Sequence, residues 1–147
     1  GNYLNSVLAF RGANDSDCDE VIMLDTEGFV AEGSAENFFM VRDGIIYTPE
    51  LTSCLDGITR NTVFSLAHDH GMVVREKRIT RDEVYVCDEA FFTGTASEVM
   101  PIREYDGRLI GTGGRGPIAE KLQAAYIELV RGGNSDYKHW LQPVSDA

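Results

Sequence analysis

Hydrophobic residues in the first third of the chain occur in short runs separated by turns. Residues 21–24 and residues 29–31 are apolar runs on either side of a turn at residues 25–28, which predicts a β-hairpin. Residues 37–41 and residues 45–48 flank an Asp-Gly pair, which predicts a second hairpin. This first third of the chain is therefore expected to form a sheet of short strands.

Helical spacing of apolar residues occurs in two longer segments. Residues 59–70 predict a helix followed by Gly71, a residue typical of the position after a helix. Residues 117–131 predict a second helix with Pro117 in its first turn. The apolar stripes contain Val63, Leu66 and Ala67 in the first helix, and Ile118, Leu122, Ala125 and Leu129 in the second. Residues 2–9 resemble the first turns of another helix.

Three more strands are predicted in the second half of the chain, at residues 72–78, 90–93 and 99–103. Many short strands with two or three substantial helices indicate an α+β fold, with a curved, barrel-like sheet and flanking helices. We expect one domain over residues 1–132 and a C-terminal tail over residues 133–147. A chain of 147 residues is long enough for one domain with its own core.

Composition narrows the possible partners. The formal net charge is −11, and an acidic chain is a poor ligand for nucleic acids or anionic membranes. No apolar run approaches the roughly 20 residues that a membrane helix needs. We therefore expect no nucleic-acid and no membrane partner.

Cysteine and histidine positions give little sign of a disulfide framework or a metal site. Cys18, Cys54 and Cys87 are odd in number and lack Cys-x-x-Cys spacing, which fits a reducing cytoplasm. His68 and His70 come at the predicted end of a helix, where exposed polar groups are usual. We expect a cytoplasmic protein without a metal ion.

The segment from residue 32 to residue 60 carries the clearest chemical signal. Glu32 begins the sequence EGSAENFF after an apolar run, and the sequence GITR starts a predicted helix at Gly57. A fixed carboxylate favours the protonated form of a ring nitrogen. The free N–H groups of a helix start bind phosphate, and Thr59 adds a hydroxyl. A cofactor with both groups is pyridoxal 5'-phosphate (PLP). Glu32 and Glu36 could also be a hydrolytic carboxylate pair, but nothing else in the chain supports a glycosidase.

Four motifs together resemble a known family. They are GNYLNS at residues 1–6, EGSAENFF at residues 32–39, GITR at residues 57–60 and TGTASEVMPI at residues 93–102. This set resembles the class IV, or fold-type IV, PLP-dependent aminotransferases, and most closely the branched-chain amino acid aminotransferases. The resemblance extends to about Gly132 and implies the large C-terminal domain of that fold, which D-amino acid aminotransferases share.

The resemblance implies roles for residues around the cofactor. Glu32 would face the pyridine nitrogen, Leu55 would pack against the ring, and Tyr3 would meet the phenolic oxygen. The backbone of Ile58 and Thr59, together with the Thr59 hydroxyl, would hold the phosphate at the helix start that Gly57 opens.

The turn after the predicted strand at residues 90–93 is implied to bind both phosphate and substrate. Thr95 would add its hydroxyl to the phosphate site. The substrate carboxylate would bind at Gly94, Thr95 and Ala96, through the backbone N–H groups of the last two. Glu36 and Asn37 are expected to support the neighbouring turn rather than to touch the cofactor.

Members of the family bind the cofactor through a lysine, and no lysine of this chain lies at the expected position. Lys77, Lys121 and Lys138 lie outside the motifs, and the family's cofactor lysine would come just before Gly1, after a small N-terminal domain. We expect a large domain truncated after that lysine and inactive alone. The full-length enzyme would exchange an amino group between a branched-chain L-amino acid and a 2-oxo acid, as a homo-oligomer that family analogy makes a dimer.

Three alternatives remain open from the sequence. A D-amino acid aminotransferase or an aminodeoxychorismate lyase would share the same cofactor residues. A non-catalytic binding or assembly module would keep the fold without the chemistry. An unrelated α+β domain would explain the strand pattern but not the four motifs.

Overall fold

The fold combines one central sheet with helices on both sides of it. A computed structural model describes residues 3–144. The helices are α1 (Leu4–Asn14), α2 (Ile58–Asp69), α3 (Arg81–Tyr85), α4 (Pro117–Val130) and a 3-10 helix (Ser135–Trp140). The strands are β1 (Met23–Leu24), β2 (Val30–Glu32), β3 (Asn37–Arg42), β4 (Ile45–Thr48), β5 (Val74–Glu76), β6 (Glu89–Gly94), β7 (Glu98–Pro101), β8 (Glu104–Tyr105) and β9 (Arg108–Leu109).

The central sheet has five strands in the order β5-β4-β3-β6-β7. The pairs within it are antiparallel except β4 and β5, which are parallel. β1 pairs with β2, and β8 with β9, in two separate antiparallel sheets. The α+β class is therefore confirmed.

Hydrophobic side chains cover both faces of the central sheet. Phe39 and Phe91 lie on the face that α2 and α4 cover, and their rings stack with centroids 5.1 Å apart. Phe38 and Phe92 lie on the opposite face, with centroids 6.1 Å apart in an edge-to-face arrangement. Consecutive residues of a strand point to opposite faces, so the apolar run at the start of β3 fills both layers.

Both hairpins predicted in the first third are confirmed. The turn between β3 and β4 has Asp43 at φ 51° and Gly44 at φ 74°, which are the positive angles of a two-residue hairpin turn. The two long helices begin and end within one residue of their predicted bounds. No helix within residues 3–144 is long and apolar enough to cross a membrane.

Two strand predictions were too long because local hydrogen bonds compete with pairing. The Met72 N–H donates to the Ala67 carbonyl at the end of α2, so β5 begins only at Val74. The Val21 N–H donates to the Glu20 side chain, and only Met23 and Leu24 pair with β2. The first residues of these two apolar runs therefore form local hydrogen bonds instead of pairing in a strand.

The 3-10 helix after α4 is folded against the domain. Tyr137 packs beside the core that α2 and α4 cover, and its hydroxyl donates to the carboxylate of Asp69. The ring of Trp140 lies 4.4 Å from that of Tyr137. The division of the chain at residue 132 stays a prediction, and Tyr137 connects the two parts.

Candidate functional site

Glu32 ends strand β2 and is tied to a loop that is distant in sequence. Its Oε2 atom accepts a hydrogen bond from the Leu55 backbone N–H at 3.0 Å. The same oxygen lies 3.5 Å from the side-chain nitrogen of Asn37. Glu32 is therefore a fixed carboxylate rather than a solvated turn residue.

Asn37 joins the first residue of β3 to the loop before α2. Its side chain is 5% exposed, and its Nδ2 atom donates to the Leu55 carbonyl at 2.7 Å. Its Oδ1 atom faces Gly57 so closely that any Cβ at that position would clash with it. Gly57 has φ −75°, which any residue adopts, so close approach is the reason for glycine here.

The start of α2 presents unused hydrogen-bond donors. Gly57 is the N-cap, and no side chain among the described residues 3–144 caps this end. The first turn of a helix has N–H groups without partners in the helix and the positive end of its dipole, which together bind anions. Ile58 is 85% exposed, whereas Thr59 is buried. The predicted phosphate site is therefore an accessible helix end.

The turn between β6 and β7 lies against the turn that follows Glu32. A Cβ built on Gly94 would lie 3.3 Å from the Ala35 carbonyl oxygen and 3.3 Å from Cγ of Glu36. Thr95 and Ala96 are exposed. Since Asn37 also pairs with Thr93 in the sheet, the motifs at residues 32–39, 57–60 and 93–102 meet at one end of the central sheet.

The turn after Glu32 contains the carboxyl of Glu36 and contacts that of Glu20 from the loop after α1. Glu20 accepts hydrogen bonds from the Ser34 backbone N–H at 3.1 Å and from the Ser34 hydroxyl at 2.8 Å. Burial raises the pKa of Glu36, and the neighbouring Glu20 carboxylate raises that pKa further. Sequence reasoning missed Glu20, because a polar loop after a helix gives no sign of its long-range partner.

Arg60 is a second residue to which sequence reasoning gave no role. Its side chain is 3% exposed and pairs with Glu76 of β5. Its Nη2 atom donates to the Pro49 carbonyl at 3.2 Å. Arg60 thereby attaches the start of the 49–57 loop to α2 and β5, and its place in the GITR motif was the available signal.

Tyr3 and Leu55, which are predicted to contact the cofactor, are both largely exposed in this chain. Tyr3 precedes α1 and is 58% exposed, and Leu55 is 64% exposed. Within residues 3–144, no hydrogen bond connects the side chain of Tyr3 with Glu32 or Thr59. The predicted roles of Tyr3 and Leu55 stay predictions.

The lysines lie apart from the three motifs that meet. Lys77 pairs with Glu83, while Lys121 on α4 and Lys138 on the 3-10 helix are exposed. In the part of the chain that the structure describes, no hydrogen bond or ion pair joins a lysine to Glu32 or Thr59.

A cavity of about 890 Å³ lies between α1, residues 16–24 and residues 100–107, and its walls include Glu20 and the end of the 93–102 motif. Its walls include Phe92, but none of the residues predicted to bind the cofactor or substrate. The predicted site is therefore a surface at the end of the sheet rather than this cavity.

Comparison with known proteins bears directly on this arrangement. The model of the amino-transferase class IV family matches residues 1–105, more than half of the chain. The chain belongs to this family. The resemblance to class IV aminotransferases noted in the sequence is thus confirmed.

Two relatives within the class IV family are longer proteins. A branched-chain-amino-acid aminotransferase of Pseudomonas aeruginosa is 61% identical over 140 residues, which are 95% of this chain and 46% of that protein. A probable branched-chain-amino-acid aminotransferase of Aquifex aeolicus is 48% identical over 99% of this chain and 48% of its own length. The chain spans about half the length of the curated relatives it matches.

Solved class IV structures share the fold closely. The T.th. branched-chain amino acid aminotransferase with pyridoxamine 5'-phosphate has a TM-score of 0.97 and 49% identity, over 99% of this chain and 48% of that one. The PLP form of the Thermobaculum terrenum enzyme has a TM-score of 0.95 and 41% identity, over 99% and 48%.

Proposed function

We propose that this chain forms the cofactor-binding half of a PLP-dependent branched-chain amino acid aminotransferase. The observation that carries the proposal is the link between Glu32 and the loop that opens α2. Glu32 accepts a hydrogen bond from Leu55, two residues before the helix N-cap at Gly57. A carboxylate for a ring nitrogen and a helix start for a phosphate are thereby held together.

The chemistry of the site fits PLP at both ends. The uncapped first turn of α2 offers backbone N–H donors to a phosphate. The Glu32 carboxylate would hold the proton on a ring nitrogen, which strengthens the electron sink that PLP supplies when it is bound. Thr59 and Thr95 would add hydroxyl donors to the phosphate.

Substrate binding is proposed at the turn between β6 and β7. The exposed Thr95 and Ala96 would direct backbone N–H groups at the α-carboxylate of an amino acid or 2-oxo acid. Because this turn lies against residues 35 and 36, substrate bound there would be next to the cofactor. The names of the relatives support a branched-chain L-amino acid as substrate.

The lysine that moves a proton at the substrate α-carbon would come from outside this chain. Lys77 is engaged by Glu83, and Lys121 and Lys138 are exposed on other elements. The chain alone is therefore proposed to bind PLP through non-covalent contacts and to transfer no amino group.

A PLP titration with borohydride tests the cofactor proposal. We expect absorbance between roughly 330 and 430 nm to be perturbed by the chain, with no adduct at a single lysine after reduction. The proposal fails if the spectrum is unchanged, or if reduction fixes the cofactor on Lys77, Lys121 or Lys138 with amino transfer.

Substrate class can be tested by restoring a complete enzyme. The chain would be fused behind the first half of the Pseudomonas aeruginosa relative. The fusion would be assayed for transfer from L-leucine or D-alanine to 2-oxoglutarate, and separately with aminodeoxychorismate. Transfer from L-leucine supports the proposal. A preference for D-alanine, or release of pyruvate from aminodeoxychorismate, would identify one of the other class IV activities.

We further propose that the protein works as a homodimer in the cytoplasm. Tyr3, Leu4, Val7 and Leu8 are each more than half exposed along α1, and contiguous apolar surface of this kind is typical of interfaces. Cys18, like the other two cysteines, is free, which suits a reducing compartment. Light scattering after size-exclusion chromatography tests the dimer, and a monomer at micromolar concentration would contradict it.

A further inference from the structure

Asn37 contacts both the ring-nitrogen end and the phosphate end of the candidate site. Its Nδ2 atom lies 3.5 Å from Oε2 of Glu32 and 2.7 Å from the Leu55 carbonyl oxygen. Its Oδ1 atom lies against Gly57, the N-cap of α2. One amide group therefore joins β2, β3 and the start of α2.

We propose that Asn37 is a positioning residue that sets the spacing between the Glu32 carboxylate and the N-terminus of α2. This inference rests on the proposed function, because that spacing matters only if one ligand binds at both ends. Asn37 itself touches neither the cofactor nor the substrate.

The chemistry of the amide explains why asparagine suits this position. The side-chain nitrogen, which carries two N–H groups, lies 2.7 Å from the Leu55 carbonyl oxygen and 3.5 Å from the Glu32 carboxylate. An aspartate of the same shape would offer oxygens to two acceptors, and its charge would repel Glu32. Since the side chain is 5% exposed, water cannot replace the lost donors readily.

If Asn37 is a positioning residue, its substitution should change the affinities for PLP and for phosphate by different factors; a purely structural role predicts no such difference. A ligand that spans two half-sites gains affinity from their fixed separation, whereas a ligand of one half-site does not. Loosening the link between Glu32 and α2 should weaken the binding of PLP more than that of inorganic phosphate. PLP would need both ends of the site, whereas phosphate would need only the start of α2.

The variant Asn37→Asp tests this with Asn134→Asp as its control. Asn134 accepts a hydrogen bond from the Asp136 N–H in the 3-10 helix, and aspartate keeps that acceptor while adding the same charge. We expect Asn37→Asp to weaken PLP binding by about tenfold or more. Phosphate binding should weaken by a smaller factor, which reflects only the new charge beside the N-cap of α2. The control should change neither. Equal losses for PLP and phosphate, or no loss for PLP, would overturn the proposal.

Amide exchange of Leu55 gives a second readout that needs no ligand. The Leu55 N–H donates to Glu32, so Asn37→Asp should raise its exchange by about tenfold or more, while the amide of Phe39 keeps its protection. Uniform loss of protection would show a purely structural role and overturn the proposal. If Asn37→Asp does not fold, Asn37→Ser should give the same contrast with a smaller change.

The outcomes separate this inference from the proposed function. A wild-type chain that does not bind PLP would overturn the proposed function of the chain. A chain that binds PLP equally well with and without the Asn37 amide would overturn only the inference.

Discussion

The side-chain oxygen of Asn37 lies directly against Gly57, where strand β3 meets the start of helix α2. We predict that Gly57→Ala lowers the free energy of unfolding by about 1–3 kcal/mol, because the new methyl group has no space. It should also weaken PLP binding, since relief of the clash moves the N-cap away from Glu32. Urea unfolding and the PLP titration measure the two effects.

Gly12→Ala is the matched control for that substitution. Gly12 lies in α1, and within residues 3–144 no heavy atom outside the adjacent helix backbone lies within 4 Å of the position of a new Cβ. Alanine should therefore stabilise by about 0.5–1 kcal/mol. Equal effects of Gly12→Ala and Gly57→Ala would contradict the packing described for Asn37.

The carboxyl of Glu36 should make stability depend on pH. Burial and the nearby Glu20 raise the pKa of Glu36 in the folded chain, so the folded state binds more protons than the unfolded one between the ordinary and the raised pKa. Stability should therefore fall as pH rises through that window. Glu36→Gln should reduce this fall, as measured by urea midpoints between about pH 4 and pH 8. An unchanged pH profile would show that Glu36 is not the group responsible.

The buried carboxylate of Glu89 is predicted to stabilise the start of α4. It is 8% exposed and accepts hydrogen bonds from the N–H groups of Ile118, at 3.1 Å, and Ala119, at 2.8 Å. Glu89→Ala should cost about 2 kcal/mol or more, because two donors lose a charged acceptor. Glu120→Ala removes an exposed carboxylate paired with Arg115 in the same turn and should cost less than about 1 kcal/mol. Similar costs would refute the capping role.

Tyr137 is predicted to make residues after α4 part of the cooperative fold. Its ring packs on the core and its hydroxyl donates to Asp69. Tyr137→Ala should cost about 1–3 kcal/mol through lost packing. Tyr137→Phe keeps the ring and should cost no more than about 1 kcal/mol. Thermal unfolding checks both, and an unaltered midpoint for Tyr137→Ala would favour an independent tail.

Local patterns predicted much of this fold from the sequence. The Asp43-Gly44 turn and the helix before Gly71 follow from short-range rules, because the residues that determine them are neighbours in the chain. Strand ends were less predictable. Met72 was assigned to a strand, but its N–H donates to the Ala67 carbonyl at the end of α2. The pattern of apolar residues does not show which of these two hydrogen-bonding arrangements forms.

In the candidate site, too, some residues could be identified from local sequence and others could not. Glu32 and Thr59 were identified because a motif surrounds each of them, and the structure brings their segments together. Glu20 and Arg60 were missed, because their partners Ser34 and Glu76 are distant in sequence. Such pairings form only when the chain folds, so a single sequence does not contain them in readable form.

The most direct test of the account is the affinity of PLP for the wild-type chain and for Glu32→Gln. Glutamine keeps an oxygen for the Leu55 N–H but loses the charge proposed to hold a protonated ring nitrogen. Glu104→Gln, at an exposed position on β8, is the control. The account predicts that Glu32→Gln weakens PLP by about tenfold or more, with phosphate binding and the control unchanged. Equal PLP affinity for the wild type and Glu32→Gln would contradict it.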